Sequence, residues 1–286
     1  MAEARILRGE PVAAALTARL KAEAEALTAQ GKKPVLAIMS VGDRPDQSSY
    51  KKGALKRSAA VGIGTVEVTA PEDAGEEELR RLLQMLGEDR TVSGVLPLRP
   101  FRTVSAEKEK ELLNLLPAEK DMDGAGDRAM LSLYAGGSEG YAPCTAEAVI
   151  ELLKHYEIPL AGRHVVIVGR SLVIGKPLAM LMLQENASVT VCHSRSENLA
   201  ELCRSGDIVV SAVGRAKMLG AEHFRAGQIV VDVGINVDQE TGKLCGDVDF
   251  DTVSQIVAAI TPVPGGVGSV TTSVLAKHII QSAKRA

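Results

Sequence analysis

The stretch HVVIVGRSLVIGKPLA, His164 to Ala179, decides how this chain folds. A continuous apolar run leads to Gly169, a turn follows with Arg170 and Ser171, and Gly175 and Pro177 open a segment of helical pattern. This is the layout of a phosphate cradle: glycines let the backbone approach an anion, and the unpaired N–H groups and dipole of the helix N-terminus favour negative charge there. The spacing is not GxGxxG, and a glycine at a strand-to-helix turn also occurs without any ligand, so the spacing alone leaves binding open.

Outward from this stretch the same grammar repeats. SVTVC (Ser188 to Cys192), DIVVSAVG (Asp207 to Gly214) and QIVVDVG (Gln228 to Gly234) are apolar runs joined by helix-length segments such as Lys176 to Asn186. They read as interior strands of a parallel sheet covered on both faces. In the first half, Val12 to Leu27 has helical periodicity and stops at Gly31, Lys32, Lys33 and Pro34, while Pro34–Gly42, Gly64–Ala70 and Val92–Leu98 are strand-like. The expected fold class is α/β: two α/β domains with a cleft between them, the C-terminal one a Rossmann-like parallel sheet. The Gly-rich stretch Ala135 to Pro143 places a boundary near Pro143, and Ser273 to Ala283 is too short for a domain and should pack back on the first.

Composition narrows the function. At 286 residues the chain has room for about two domains. Its 33 Lys+Arg against 36 Asp+Glu create no basic field to hold a nucleic acid, and with no Trp, four Tyr and three Phe it has few base-stacking groups. No uncharged apolar run approaches the ~18 residues of a membrane span, and Glu3, Arg5, Arg8 and Glu10 interrupt what would be a signal peptide, so a soluble, cytoplasmic protein is expected. Cys144, Cys192, Cys203 and Cys245 are widely spaced, without a CxxC pair or clustered His; reduced thiols and no metal site are expected.

In chain order, GRSLVIGKP is followed by ASVTVCHSRS, DIVVSAVG, VVDVGIN, GDVDF and TPVPGGVG, and the first half carries Tyr50, KDMDG (Lys120 to Gly124) and PCT (Pro143 to Thr145). Over essentially its full length the chain resembles the bifunctional methylenetetrahydrofolate dehydrogenase/cyclohydrolase family. The resemblance implies NADP as cofactor, with Gly169, Arg170, Ser171 and Gly175 in the cofactor loop, Ser194 after the next strand and Ile235 on the nicotinamide side. It implies a folate substrate contacted by Tyr50, Asp121 (the acid that binds the pterin ring), Pro264, Gly265 and Gly266, with Tyr50 and Asp121 as the catalytic candidates. It also implies residues 1–142 plus 268–286 as the folate-binding catalytic domain, residues 143–267 as the NADP-binding domain, and a homodimer. A guanidinium and a hydroxyl suit the extra 2′-phosphate of NADP, whereas NAD sites place an acid near the ribose.

Each residue also has a plainer reading. Arg170 serves as a solvated turn cation, Ser194 as a helix N-cap whose capping box Glu197 completes, and Asp121 as a loop cap or surface ion pair. Tyr50 serves as a packed helix residue, and Pro264–Gly266 as an ordinary tight turn.

The chain departs from the family where the second activity is catalysed. The family places a Lys four residues after the Tyr, on the same helix face, and pairs it with a Gln in a VQLPLP run; that Lys handles the proton when water attacks the methenyl carbon. Here the two positions are Ala54 and Leu98. Lys51, Lys52 and Lys56 lie roughly 100, 200 and 240 degrees round the helix from Tyr50 and do not replace it. The family's FHPxN is replaced by Ala125–Ala129, its Ser three residues before the Tyr is Gln47, and its PVPGGVGPMT ends as PVPGGVGSVT. The expected activity is oxidation of methylenetetrahydrofolate, with weak or lost cyclohydrolase; the alternatives are a non-enzymatic nucleotide-binding descendant and an oxidoreductase acting on a different small molecule.

Overall fold

The computed structural model describes residues 3–285. Its strands are β1 (Arg5–Ile6), β2 (Val35–Val41), β3 (Gly64–Ala70), β4 (Gly94–Pro97), β5 (His164–Val168), β6 (Ser188–Cys192), β7 (Ile208–Ser211), β8 (Ile229–Asp232), β9 (Asn236–Val237), β10 (Leu244–Cys245) and β11 (Ala259–Ile260). The chain divides into two compact units, Met1–Ala13 with Thr145–Thr271, and Ala14–Cys144 with Thr272–Ala286.

The first unit is built on a six-stranded sheet in the order β1-β11-β8-β7-β5-β6, with every neighbouring pair parallel. From β6 to β11 this is a doubly wound order: β5 is followed on one side by β6 and on the other by β7, so the winding reverses beside β5. β5, β7 and β8 are buried almost throughout, as their unbroken apolar runs require. The remaining pair, β9 and β10, forms an antiparallel hairpin.

Two sequence expectations need correction here. Ser188–Cys192 is not an interior strand: β6 closes one edge of the sheet, and only Cys192 of its five residues is buried. Residues 1–13, expected with the amino-terminal domain, group with the other unit because β1 pairs with β11, Arg5 opposite Ala259 and Ile6 opposite Ile260.

The second unit carries a parallel three-stranded sheet, β3-β2-β4. β2 lies in the middle and is buried along six of its seven residues. The helix Glu76–Glu88 packs Leu79, Leu82, Leu83 and Leu86 into the core with Met39, Val95 and Phe101, following the 3.6-residue period. Each fully buried leucine stabilises the unit by about 1.5–3 kcal/mol relative to an exposed one. The helix Pro45–Val61 carries Tyr50 and ends on Gly62, whose φ of +91° is accessible to glycine and whose N–H donates to Ser58 O at 3.0 Å. The segment Ser273 to Ala283 lies within the helix Thr271–Arg285, from which Ser282 Oγ donates to Ser93 O at 2.6 Å. Among the described residues no helix is long and apolar enough to cross a membrane, and all four cysteines are free. Burial, helped by Cys192, pushes the Cys203 thiol up to about 12.

Candidate functional site

In open α/β sheets, ligands sit beyond the carboxyl ends of the strands where the winding reverses. Here that place holds a cavity of about 530 Å³, lined by Gly169, Arg170 and Ser171 after β5, His193, Ser194 and Ser196 after β6, and Ala212, Val213 and Arg215 after β7. Gly169 has φ +133°, and a side chain on it would strike Ala212 O. A Cβ on Gly175 would strike Gly169 O and come within 2.8 Å of Arg170 N. Ser171 tightens the turn: its Oγ accepts from Ile174 N and its carbonyl from Lys176 N, both at 3.1 Å, which starts the helix Gly175–Gln184. The glycines are therefore required by close backbone approach; the loop leads into a helix N-terminus, and the cavity lining as a whole carries two guanidinium groups and three hydroxyls. That donor set fits the phosphates of a dinucleotide.

The capping-box reading of Ser194 does not hold. The helix Leu199–Ser205 begins after Asn198, which makes no side-chain cap, and Ser194 is an exposed residue of the cavity lining. Arg215 was not singled out in the sequence; the only local signal was its place just past the apolar run of β7.

A second cavity of about 180 Å³ is lined by Asp232, Gly234, Ile235, Leu244 and Pro262–Ser269. Ile235 is 64% exposed and faces Gly268, so the residue implied for the nicotinamide side and the Pro264–Gly265–Gly266 bend line one cavity. Gly265 has φ +102°, and its carbonyl accepts from Gly9 N at 2.8 Å.

In the other unit, Asp121 extends the β4 edge by a single parallel bridge to Val95 and is 2% exposed. Its Oδ2 accepts from Gly126 N at 2.7 Å, whereas Oδ1 is buried without a partner. An orphaned buried acceptor is costly unless a ligand donor meets it. Burial, together with nearby Asp123, pushes the Asp121 carboxyl above its ordinary value, against the Gly126 N–H and Arg99. The loop-cap reading of Asp121 therefore explains one of its two oxygens.

Tyr50 is half-buried, and burial raises its phenol well above the usual value; Cys144 and Asp123 add to that and Arg99 opposes it. Tyr50 and Asp121 thus both sense Asp123 and Arg99, which the sequence reading had not picked out. Arg99 Nη2 lies 3.4 Å from Asp123 Oδ2, Asp123 Oδ1 accepts from Cys144 N at 3.1 Å, and Gln47 Nε2 donates to the carbonyls of Leu98 and Arg99, both at 3.1 Å. Ala54 and Leu98 are 0% and 4% exposed, so both positions are buried and apolar. Lys51 pairs with Glu67 at 2.7 Å, and Lys52 and Lys56 are exposed. An arginine stays protonated, so Arg99 supplies a charge but no proton shuttle.

Comparison with known proteins accounts for both units. The model of the tetrahydrofolate dehydrogenase/cyclohydrolase NAD(P)-binding domain matches residues 143–286, and that of the catalytic domain matches residues 7–123. The bifunctional protein FolD of Carboxydothermus hydrogenoformans is 45% identical over 277 residues, 96% of each chain. The structure of the bifunctional FolD methylenetetrahydrofolate dehydrogenase/cyclohydrolase from Campylobacter jejuni superposes with a TM-score of 0.93 at 35% identity, covering 98% of both chains. The Trypanosoma brucei enzyme, complexed with NADP cofactor and an inhibitor, gives 0.92 at 34% identity, covering 100% of this chain and 99% of that one. With a phosphate cradle in one unit, a buried carboxylate with a free oxygen in the other, and matches along the whole length, this chain belongs to the tetrahydrofolate dehydrogenase/cyclohydrolase family.

Proposed function

We propose that the chain oxidises 5,10-methylenetetrahydrofolate to 5,10-methenyltetrahydrofolate with NADP, and that the cyclohydrolase activity of its family is weak or lost in it. The observation that carries the dehydrogenase reading is the cavity at the carboxyl ends of β5, β6 and β7, whose lining has Arg170, Arg215, Ser171 and Ser194 and no carboxylate. Such a lining suits a dinucleotide with an extra 2′-phosphate, since no acid competes for the ribose. When bound, NADP supplies the acceptor for the hydride that leaves the methylene carbon.

The chain's own residues bind and orient. Arg170 and Ser194 hold the 2′-phosphate, the Gly169–Gly175 loop cradles the pyrophosphate, and Ile235 packs on the nicotinamide side. Asp121 accepts two N–H donors of the pterin ring, and Tyr50 is the second substrate residue of the same unit. The positive charge left by hydride departure is shared by the two folate nitrogens, so the oxidation requires no residue to take up a proton, and positioning is the main contribution. Hydrolysis of the methenyl product does need a proton shuttle, and Ala54 and Leu98 supply none. In this reading residues 143–267 serve the cofactor and the segments 1–142 and 268–286 the folate, with β1 as an exchange into the cofactor sheet. The exposed edge of β6 is where two copies pair in a homodimer.

The direct assay is formation of reduced cofactor and methenyl product from methylenetetrahydrofolate and NADP; a pure, folded preparation giving neither product overturns the proposal. Arg170→Ala is expected to raise the Kd for NADPH about tenfold or more and that for NADH less than about twofold, in line with one lost charge-assisted bond. Equal weakening of both would move Arg170 from the 2′-phosphate to the pyrophosphate. Asp121→Ala is expected to raise the KM for the folate roughly 10- to 100-fold, from loss of charge-assisted hydrogen bonds, with the Kd for NADPH unchanged. The raised Asp121 carboxyl adds a sign: two N–H donors favour the ionised form, so folate binding releases a proton and weakens as pH falls through the folded value. Calorimetry in two buffers of different ionisation enthalpy reads that proton.

A further inference from the structure

β7 ends at Ser211 and β8 at Asp232, opposite each other in the register. Beyond these ends the sheet ladder stops. The segment 212–215 goes on to line the large cavity, and 233–236 carries Ile235. What holds the two segments is a pair of buried carboxylates, Asp247 at 0% and Asp232 at 4% exposure.

Asp247 Oδ2 accepts from Ser211 Oγ at 3.1 Å and Val213 N at 2.7 Å, and its Oδ1 from Arg215 N at 3.0 Å and Asn236 Nδ2 at 2.9 Å. One side chain thus ties the cavity segment after β7 to the Ile235 segment after β8. Asp232 holds Asp247 in turn. Its Oδ1 accepts from Gly234 N at 3.0 Å and Asp247 N at 3.1 Å, and its Oδ2 from Val248 N at 2.8 Å. Asp232 N donates to Thr261 Oγ1 at 2.7 Å, which anchors the group to the segment after β11. Glycines make room for it: a Cβ on Gly234 would strike the Asp247 carboxylate, and one on Gly246 the Asp232 carboxylate.

Neither carboxylate has an ion-pair partner among the described residues. Two buried acids without a cation are an expensive way to hold a loop, and an apolar core would be cheaper if shape were all that mattered. Seven N–H and O–H donors aimed at four oxygens specify geometry instead. We propose that Asp247, braced by Asp232, is a positioning residue for the dinucleotide: it sets the Ile235 segment against the phosphate cavity so that the two ends of the cofactor are received together. The proposal rests on the NADP reading above.

Burial, the main cause, and Asp247 push the Asp232 carboxyl up to about 7, against the three backbone N–H donors. The charged groups that face it are Asp247 and, across the neighbouring cavity, Lys217, Asp238, Lys243, Asp249 and Asp251, with the Cys245 thiol. The folded chain therefore favours the protonated Asp232 carboxyl more than the unfolded chain does, so Tm is expected to rise as pH falls below about 7, and Asp232→Asn to flatten that part of the profile.

The test uses the full chain and direct binding. With no Trp, the protein leaves NADPH fluorescence almost free of background. The probes are NADPH and 2′,5′-ADP, which carries only the adenosine-phosphate end. Asn236→Ala removes only the tie to the Ile235 segment; it is expected to raise the Kd for NADPH about 3- to 10-fold, leave 2′,5′-ADP unchanged and speed amide exchange over residues 233–237. Asp247→Asn is expected to weaken both probes, NADPH about tenfold or more. If Asp247→Asn fails to fold, Asn236→Ala and Ser211→Ala carry the test, the latter expected to weaken 2′,5′-ADP about 2- to 5-fold. Wild-type NADPH binding that stays within twofold in all folded variants, even if their Tm falls, reduces the pair to a structural role and overturns the inference. A wild-type chain that binds neither probe overturns the NADP reading itself, and this inference with it.

Discussion

Replacing Ala54 with Lys and Leu98 with Gln together is expected to raise methenyl hydrolysis about a hundredfold or more, the usual contribution of a positioned acid–base group. Position 54 follows Tyr50 by one helical turn and is fully buried, and position 98 is nearly so. A lysine there leaves water and has its pKa lowered, which makes it a usable base near neutrality. Asp123, Arg99 and the Tyr50 phenol already share the surroundings of Asp121 and Tyr50 and need not move. Ala54→Lys alone is expected to give a smaller rise and a lower Tm, because a buried amine without the Gln partner bears the desolvation cost uncompensated. Dehydrogenase activity should stay within a few-fold throughout. If the folded double variant hydrolyses no faster than the parent, the altered segment Ala125–Ala129 limits the second activity and not this pair.

Gly175→Ala is expected to weaken NADPH binding about a hundredfold or more, equivalent to losing two charge-assisted hydrogen bonds in the cradle. The added methyl meets backbone on every near side: Gly169 O and C, and Arg170 N. No rotamer change can relieve a backbone contact, so the loop itself must shift, at about 1–3 kcal/mol of stability. Gly162→Ala is the control. At φ +75° it is strained by about 1–2 kcal/mol, but a Cβ there meets nothing within 4 Å. Its stability should fall while its Kd for NADPH holds, and the two variants together separate backbone strain from collapse of the cradle. Equal Kd values for both would remove the cradle from cofactor binding.

Much of this could be read from residues alone because the relevant physics is local. Unbroken runs such as VVIV and IVVS imply buried strands wherever they lie, and Gly169 and Gly175 mark close backbone approach. The i, i+4 spacing of Tyr50 and Ala54 is a property of one helix, so once the resemblance implied a Lys at that spacing its absence was visible in the sequence. Arg99 and Asp123 were not, since nothing local says that an arginine after β4 will face an aspartate 24 residues on.

By itself, then, the sequence determined the element types and the phosphate turn, since each depends on residues within a turn or two of one another, while the family resemblance marked Ala54 and Leu98 as departures. Only the tertiary structure decided that β6 closes a sheet edge, that β1 crosses to the sheet of the second half, and that Asp247 joins segments 11 and 34 residues away. Strand pairing and buried hydrogen bonds are settled by which distant partner is present when water is excluded, and no window of sequence contains that partner.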